Sequence, residues 1–289
     1  MNTNSFIWFR SKVAKFLLAS LPANLASRIQ IPYFLALSRL NGFVRTNDSI
    51  KSVESSGGVY RVNFNSNHSL LVPQVERISR FVSGIDRAKD RILQQYQFHQ
   101  LSGDNIRTVL DIGANIGEFS LAFLENSKSQ VFAFEPVLEN YQCLVENLQT
   151  YVGRSSCFNV ALGNIDGQVN FHIADSLQNS SAIEPDTTYS IKTVKMMTIK
   201  TFLSNHPSLF VDLLKMDAEG FEPEVLDGIG DTLPRIRNFS IDCSPERQGR
   251  DTSNFVIDYF SKNSIPNRTF SDNESKRIIV IAGRDLRND

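Results

Sequence analysis

Val109-Leu-Asp-Ile-Gly-Ala-Asn-Ile-Gly-Glu-Phe119, followed by Phe134-Glu135-Pro136, decides the fold. Thr108–Ile112 is a short apolar run, as expected for a strand buried on both faces. Gly117–Glu125 reads as the helix after it, and Gln130–Phe134 as a second strand of the same kind. In the helix predicted over Leu138–Gln149, Leu138, Tyr141, Leu144, Val145 and Leu148 form one apolar stripe. Gly113 and Gly117 give the first loop backbone torsions and a closeness of approach that a side chain would block. A dinucleotide pyrophosphate would want glycine at 113, 115 and 118. This chain has Gly113, Asn115 and Glu118, and an acid at a helix start repels phosphate. A nicotinamide dehydrogenase is therefore set aside. The loop suits a cationic, non-phosphate ligand: Asp111 offers a carboxylate near an ammonium, as S-adenosylmethionine (SAM) would supply. Glu135, at the tip of the second strand, can accept both hydroxyls of a ribose.

Working outward, Ser156–Val160, Gln168–Ile173, Thr193–Ile199, Val211–Met216 and Asn238–Ile241 read as further strands. Pro223 stands in the first turn of a helix starting near Glu222, where its missing N–H costs nothing. Asn267–Ser271 and Arg277–Ala282 flank Asp-Asn-Glu-Ser as an antiparallel hairpin. Strand–helix alternation predicts a doubly wound α/β sheet that binds ligands at the carboxyl ends of its strands.

In Leu214-Lys-Met-Asp-Ala-Glu-Gly220, Lys215, Asp217 and Glu219 are spaced by two and would point to one side of an extended strand. A lysine and two acids at the end of an apolar strand are costly to bury unless paired. One reading is a structural ion pair. In the catalytic reading, Asp217, kept anionic by Lys215, takes the proton of an acceptor hydroxyl. Alternatively, Asp217 and Asp242 hold a divalent cation such as magnesium. The metal-free version is preferred. His68, His99, His172 and His206 lack triad or ligand spacing, so zinc is set aside.

The 289 residues are 41% hydrophobic, enough for a proper core, and carry a net charge of −1. Residues 1–102 hold 13 basic and 5 acidic side chains, so the remainder is acidic. That balance argues against a nucleic-acid partner, and the basic third could attract an anionic one. Residues 1–102 are expected to form an N-terminal cap of helices and a small β element, and 103–289 the main domain. Phe6, Phe9, Val13, Phe16 and Leu17 share one face of a helix that could touch a membrane surface weakly. Arg10, inside that face, favours docking on the body instead. Cys143, Cys157 and Cys243 are odd in number and scattered, which places the chain in the reducing cytoplasm.

With Leu214–Glu222, Asn159-Val-Ala-Leu-Gly163, Asp166-Gly167 and Thr198–Leu203 added to the opening motifs, the chain resembles the FkbM-type SAM-dependent methyltransferases over about residues 100–245. The resemblance implies a Rossmann-like, seven-stranded, mostly parallel sheet of the class I methyltransferase kind, with its last hairpin antiparallel. It implies SAM as methyl donor and O-methylation of a sugar, glycolipid precursor or secondary metabolite. Gly113, Ala114, Asn115 and Gly117 would wrap the amino-acid end of SAM, with Asp111 behind and Phe119 adjoining. Glu135 and Pro136 would hold the ribose, and Asn159, Val160 and Ala161 would border the adenine. Lys215, Asp217 and Glu219 would be the catalytic set, with Phe221 at the pocket wall. Two stretches depart from the family: the fifth strand ends in Asp242 where a glutamate is usual, and residues 175–193 match nothing in its pattern. A nucleic-acid ribose methyltransferase and a non-catalytic SAM-binding module are the rival readings.

Overall fold

The computed structural model describes residues 29–39, 48–101, 106–174, 183, 189–272 and 274–286. The chain divides into two units, one ending at Ala88 and one running from Lys89. In the first, helix α1 (residues 29–39) precedes the antiparallel strands β1 (Ile50–Ser56), β2 (Val59–Phe64) and β3 (Ser69–Val72). Gly57 and Gly58, both at positive φ, make the tight turn between β1 and β2. Val62, Phe64, Leu70 and Val72 alternate into the core of this unit. Helix α2 (Ile85–Gln95) contains the division. It is shorter than the expected Asp86–Leu101 helix, because Gln97 adopts a left-handed φ of 51° and a separate turn of 3-10 helix follows. The expected helix at Phe6–Leu17, and with it any membrane contact, lies outside the described residues. Among the described residues no helix is long and apolar enough to cross a membrane.

The second unit runs β4 (Thr108–Ile112), α3 (Glu118–Asn126), β5 (Gln130–Phe134), α4 (Leu138–Asn147), β6 (Ser155–Phe158), β7 (Ala161–Leu162), β8 (Gly167–Ala174) and β9 (Tyr189–Met197). Then come α5 (Ile199–Ser204), β10 (Leu213–Met216), α6 (Glu222–Asp227), β11 (Asn238–Asp242), α7 (Ser253–Lys262), β12 (Asn267–Asp272) and β13 (Arg277–Gly283). The central sheet has seven strands in the order β12-β13-β11-β10-β4-β5-β6. β11, β10, β4, β5 and β6 are parallel, and the final hairpin is antiparallel, as expected. Leu110, Phe134, Leu214, Met216, Phe239 and Ile241 pack with Phe202, Val225 and Phe260 into one core. Cys143 and Cys243 are buried and Cys157 is half-buried.

Two expectations are corrected. The strands foreseen at Gln168–Ile173 and Thr193–Ile199 stand outside the central sheet, where β8 and β9 pair antiparallel and β7 joins β9. Val169, Phe171 and Ile173 alternate with polar residues, which is the mark of a one-sided antiparallel sheet. The apolar stripe foreseen on α4 is only in part the face it buries: Leu144 and Leu148 are buried as expected, and the rest of the stripe is not. Leu138 and Val145 are 50% and 43% exposed, while Asn140, Cys143, Leu144 and Asn147 point inward. The asparagines have local reasons to be there: Asn147 Nδ2 donates to the Ile116 carbonyl at 2.8 Å, and Asn140 Nδ2 to Glu135 Oε1 at 3.4 Å.

From β4 the chain adds β5 and β6 on one side, then returns to build β10 and β11 on the other. The topological switch point therefore lies between β4 and β10, and the carboxyl ends of these strands, after Ile112 and Met216, are where such sheets bind ligands.

Candidate active site at the switch point

The pairing of β4 with β10 sets Lys215 opposite Asp111. Neighbours on parallel strands share a face, so the two side chains meet, Nζ to Oδ1 at 3.1 Å, with both buried. The ammonium also donates to the carbonyls of Ile112 and Gly113, at 3.3 and 3.0 Å, and Ser120 Oγ donates to Asp111 Oδ2 at 2.6 Å. The rings of Tyr96 and Phe119 lie 4.9 and 5.8 Å from the ammonium. A buried pair is tolerated when its remaining protons and lone pairs are satisfied in this way. This register revises two expectations: Asp111 faces the ammonium of Lys215 instead of a ligand's, and Lys215 neutralises Asp111 while Asp217 takes a different donor.

Gly113, Asn115 and Gly117 carry φ of 67°, 56° and 91°, so the loop after β4 turns through left-handed conformations. At Gly113 a second constraint adds to the first, since a Cβ there would lie 1.9 Å from the carbonyl oxygen of Asp217. The glycine lets the loops after β4 and β10 touch. Glu135 fastens the other side of the loop: its Oε2 accepts from the N–H of Asn115 at 2.8 Å and its Oε1 from that of Val137 at 2.9 Å. Ala114 N–H donates to the Phe134 carbonyl at 3.0 Å. Asn159 Nδ2 donates to the carbonyls of Glu135 and Pro136 at 2.9 and 3.0 Å, and Val160 and Ala161 are buried beside it. The structure thus gathers Asp111, Gly113, Ala114, Asn115, Gly117, Phe119, Glu135, Pro136 and Asn159 at the ends of adjoining strands. Glu118 begins α3, and the nearby cation Lys215 is already engaged with Asp111 and two carbonyls. That donor set fits a positively charged nucleoside and not a diphosphate.

Beyond β10 the acids crowd together, though not by strand alternation. β10 ends at Met216, and Glu219 has a left-handed φ of 51°. A turn therefore carries Glu219 to Asp217, and one oxygen each of Asp217, Glu219 and Glu246 lie within 4.8 Å of one another. Glu246 Oε2 is buried with no hydrogen-bond partner among the described residues. Tyr96 OH donates to Asp217 Oδ2 at 2.5 Å. Asp242, at the end of β11, accepts from the N–H of Ser244 at 3.1 Å and from its hydroxyl, and lies 3.3 Å from Arg277 Nε. Burial, and then the neighbouring carboxylates, push the proton affinities up: Asp242 to about 6, Glu246 to about 11, and Glu219 well above the usual range. Sequence reading missed Tyr96 and Glu246, which lie outside any local motif.

Glu222 is the buried acid beneath this turn. Its Oε1 accepts from the N–H groups of Ala218 and Gly220, both at 3.1 Å, and its Oε2 from the Thr252 hydroxyl at 2.9 Å. Burial pushes it from 4.5 to about 7. A carboxyl raised in the folded state binds more protons there than when unfolded, so its contribution is complete below about pH 4.5 and is lost as pH climbs through about 7. The shift corresponds to about 3 kcal/mol. Urea unfolding at about pH 5 and pH 8 is expected to show wild type losing stability across this window, and Glu222→Gln losing markedly less. Parallel curves for the two proteins would refute the assignment to Glu222.

The sheet order, the antiparallel last hairpin and a diphosphate-excluding loop at the switch point define a class I SAM-dependent methyltransferase. The family model for the methyltransferase FkbM domain matches residues 111–264, more than half of the chain. The chain belongs to the FkbM methyltransferase family. It is 26% identical over 187 residues to the 2-O-methyltransferase NoeI of Sinorhizobium fredii, covering 58% of this chain and 76% of NoeI. To the hexuronic acid methyltransferase AglP of Haloferax volcanii it is 31% identical over 138 residues, covering 45% of this chain and 53% of AglP. Among solved structures it resembles the methyltransferase FkbM from Methylobacillus flagellatus, with a TM-score of 0.46 and 14% identity, over 73% of this chain and 54% of that one. The chain thus spans about half the length of AglP and of the M. flagellatus protein.

Proposed function

We propose that this chain transfers a methyl group from SAM to a hydroxyl of a sugar, with Asp217 as the base. The observation that carries the reading is the meeting of two loops at the switch point. The carbonyl of Asp217 occupies the space over Gly113 that a side chain would fill, so the loop proposed to carry the base lies against the loop proposed to hold the cofactor. Gly113, Ala114, Asn115 and Gly117 would hold the amino-acid end of SAM, Glu135 the ribose, and Asn159, Val160 and Ala161 the adenine. Bound there, SAM supplies a methyl group carried on a positively charged sulfur. Asp217 receives the proton of the acceptor hydroxyl, and Glu219 and Glu246, kept protonated by burial, donate hydrogen bonds to acceptor oxygens. Lys215 acts at one remove, holding the Gly113 carbonyl and neutralising Asp111.

NoeI and AglP are both named as methyltransferases, and the name of AglP specifies a hexuronic acid. The acid crowd favours a neutral or amino sugar instead, because burial, and then the neighbouring carboxylates, already push up Glu219, Asp242 and Glu246, and a further carboxylate would meet the same resistance beside Asp217. A carboxylate about 6 Å away would add roughly 2 to 3 kcal/mol of repulsion per ionised neighbour at an effective dielectric near 20. Methyl transfer from labelled SAM to methyl hexosides should exceed transfer to the matching hexuronides at least tenfold. No transfer to any glycoside would sink the sugar reading, and preferred hexuronides would sink the charge argument. The spacing of Asp217, Glu219 and Glu246 favours a second reading, a bound divalent cation. Turnover that survives a chelator separates the two. The scattered cysteines support the cytoplasm as its compartment.

A further inference from the structure

We propose that Tyr96, which precedes the family domain in sequence, is a positioning residue of the methyl-transfer site: its hydroxyl holds one carboxylate oxygen of Asp217 and leaves the other to face the acceptor. The inference rests on Asp217 being the base, as proposed above. Tyr96 is 1% exposed and held from several sides. Its hydroxyl donates to Asp217 Oδ2 at 2.5 Å, and its carbonyl accepts from Ser240 Oγ of β11 at 2.6 Å. Its ring meets the ring of Phe119 edge-on at 5.6 Å between centroids and lies 4.9 Å from the Lys215 ammonium. The side chain thereby joins α3, β10 and the loop that carries Asp217, and the backbone of the same residue ties it to β11.

A carboxylate at the end of a strand rotates about its terminal bond unless something holds it, and alignment is the larger part of a methyl displacement. Tyr96 can only donate: burial, followed by the charges of Asp217 and Asp242, pushes its hydroxyl well above its ordinary range, so it keeps its proton. In the reaction the acceptor O–H bond breaks and its proton passes to Asp217 Oδ1. A C–O bond forms, and the C–S bond breaks with its electron pair remaining on sulfur. Tyr96 is unchanged throughout.

Tyr96→Phe keeps the ring and removes the donor. On a hexoside acceptor, turnover is expected to fall about 10- to 100-fold, while SAM affinity by calorimetry stays within a few-fold. The loss is expected in kcat, with KM for the hexoside unchanged within a few-fold, because the acceptor still binds but the base is no longer held in line. A purely structural tyrosine would instead lower the melting temperature and leave kcat of the folded protein in place. 3-Fluorotyrosine introduced at position 96 keeps ring and donor and should retain kcat within a few-fold of wild type, whereas 4-fluorophenylalanine fills the same space without the donor and should be slow, which decides the matter even if Tyr96→Phe does not fold. Wild-type kcat in a folded protein that lacks the hydroxyl overturns the proposal. Failure of the underlying reading looks different: Asp217→Asn would then turn over like wild type, and the role of Tyr96 would fall with that of Asp217.

Discussion

Lys215→Met is expected to lower the unfolding temperature of the second unit by roughly 6 to 20 °C. Asp111 lies at the centre of the parallel sheet, fully buried, and in this variant keeps Ser120 as a donor and loses its cation. The carbonyls of Ile112 and Gly113 lose the ammonium as well. Removing one partner of a buried pair typically costs about 3 to 5 kcal/mol, because the other charge is left uncompensated. For a domain of 150–250 residues each kcal/mol is worth roughly 2 to 4 °C. Removing both charges is a different matter. Asp111→Leu combined with Lys215→Met leaves no lone ion in the core, so the double variant should melt above Lys215→Met alone. Thermal unfolding followed by circular dichroism measures both. If Lys215→Met melts within about 2 °C of wild type, the pair is hydrated and does not hold the strand ends together.

How far the molecule is legible in its sequence depends on how far apart the deciding contacts lie. β4, β5, β10 and β11 are nearly unbroken apolar runs, and that pattern is local, so the central sheet and its parallel character follow from it. The Gly113–Gly117 loop and Glu135 fall within one βαβ unit and are equally visible. Partners across the sheet are not. That Lys215 sits on Asp111 is a matter of register between β4 and β10, and that Gly113 must be glycine for the carbonyl of Asp217 is a contact between two loops. Tyr96 gives no signal at all, since a tyrosine just past α2 reads like any other apolar residue near a helix end. The buried asparagines of α4 defeat pattern reading for a related reason: hydropathy ranks Leu138 and Val145 as inward, but the loop carbonyl at Ile116 and the carboxylate of Glu135 need donors.

Asp217→Asn is expected to cut methyl transfer about 100- to 10,000-fold, the range a positioned base contributes, while SAM affinity changes no more than a few-fold. The substitution keeps the shape of the side chain, and its amide oxygen can still accept from Tyr96. It also takes one acid from a crowd in which Asp217 helps to push up Glu219, Asp242 and Glu246. The folded protein should therefore be as stable as wild type or more so. A slow enzyme that melts no lower than wild type and binds SAM normally is the signature of a lost proton acceptor. An Asp217 that served only to brace the two loops would give the converse, a lower melting temperature with turnover intact in whatever remains folded. The activity left in the variant should still exceed the uncatalysed rate by a wide margin, because orienting two bound reactants can supply about 7 to 11 kcal/mol without any base. Wild-type turnover in Asp217→Asn would remove the base from this residue and leave the crevice as a site that works by alignment alone.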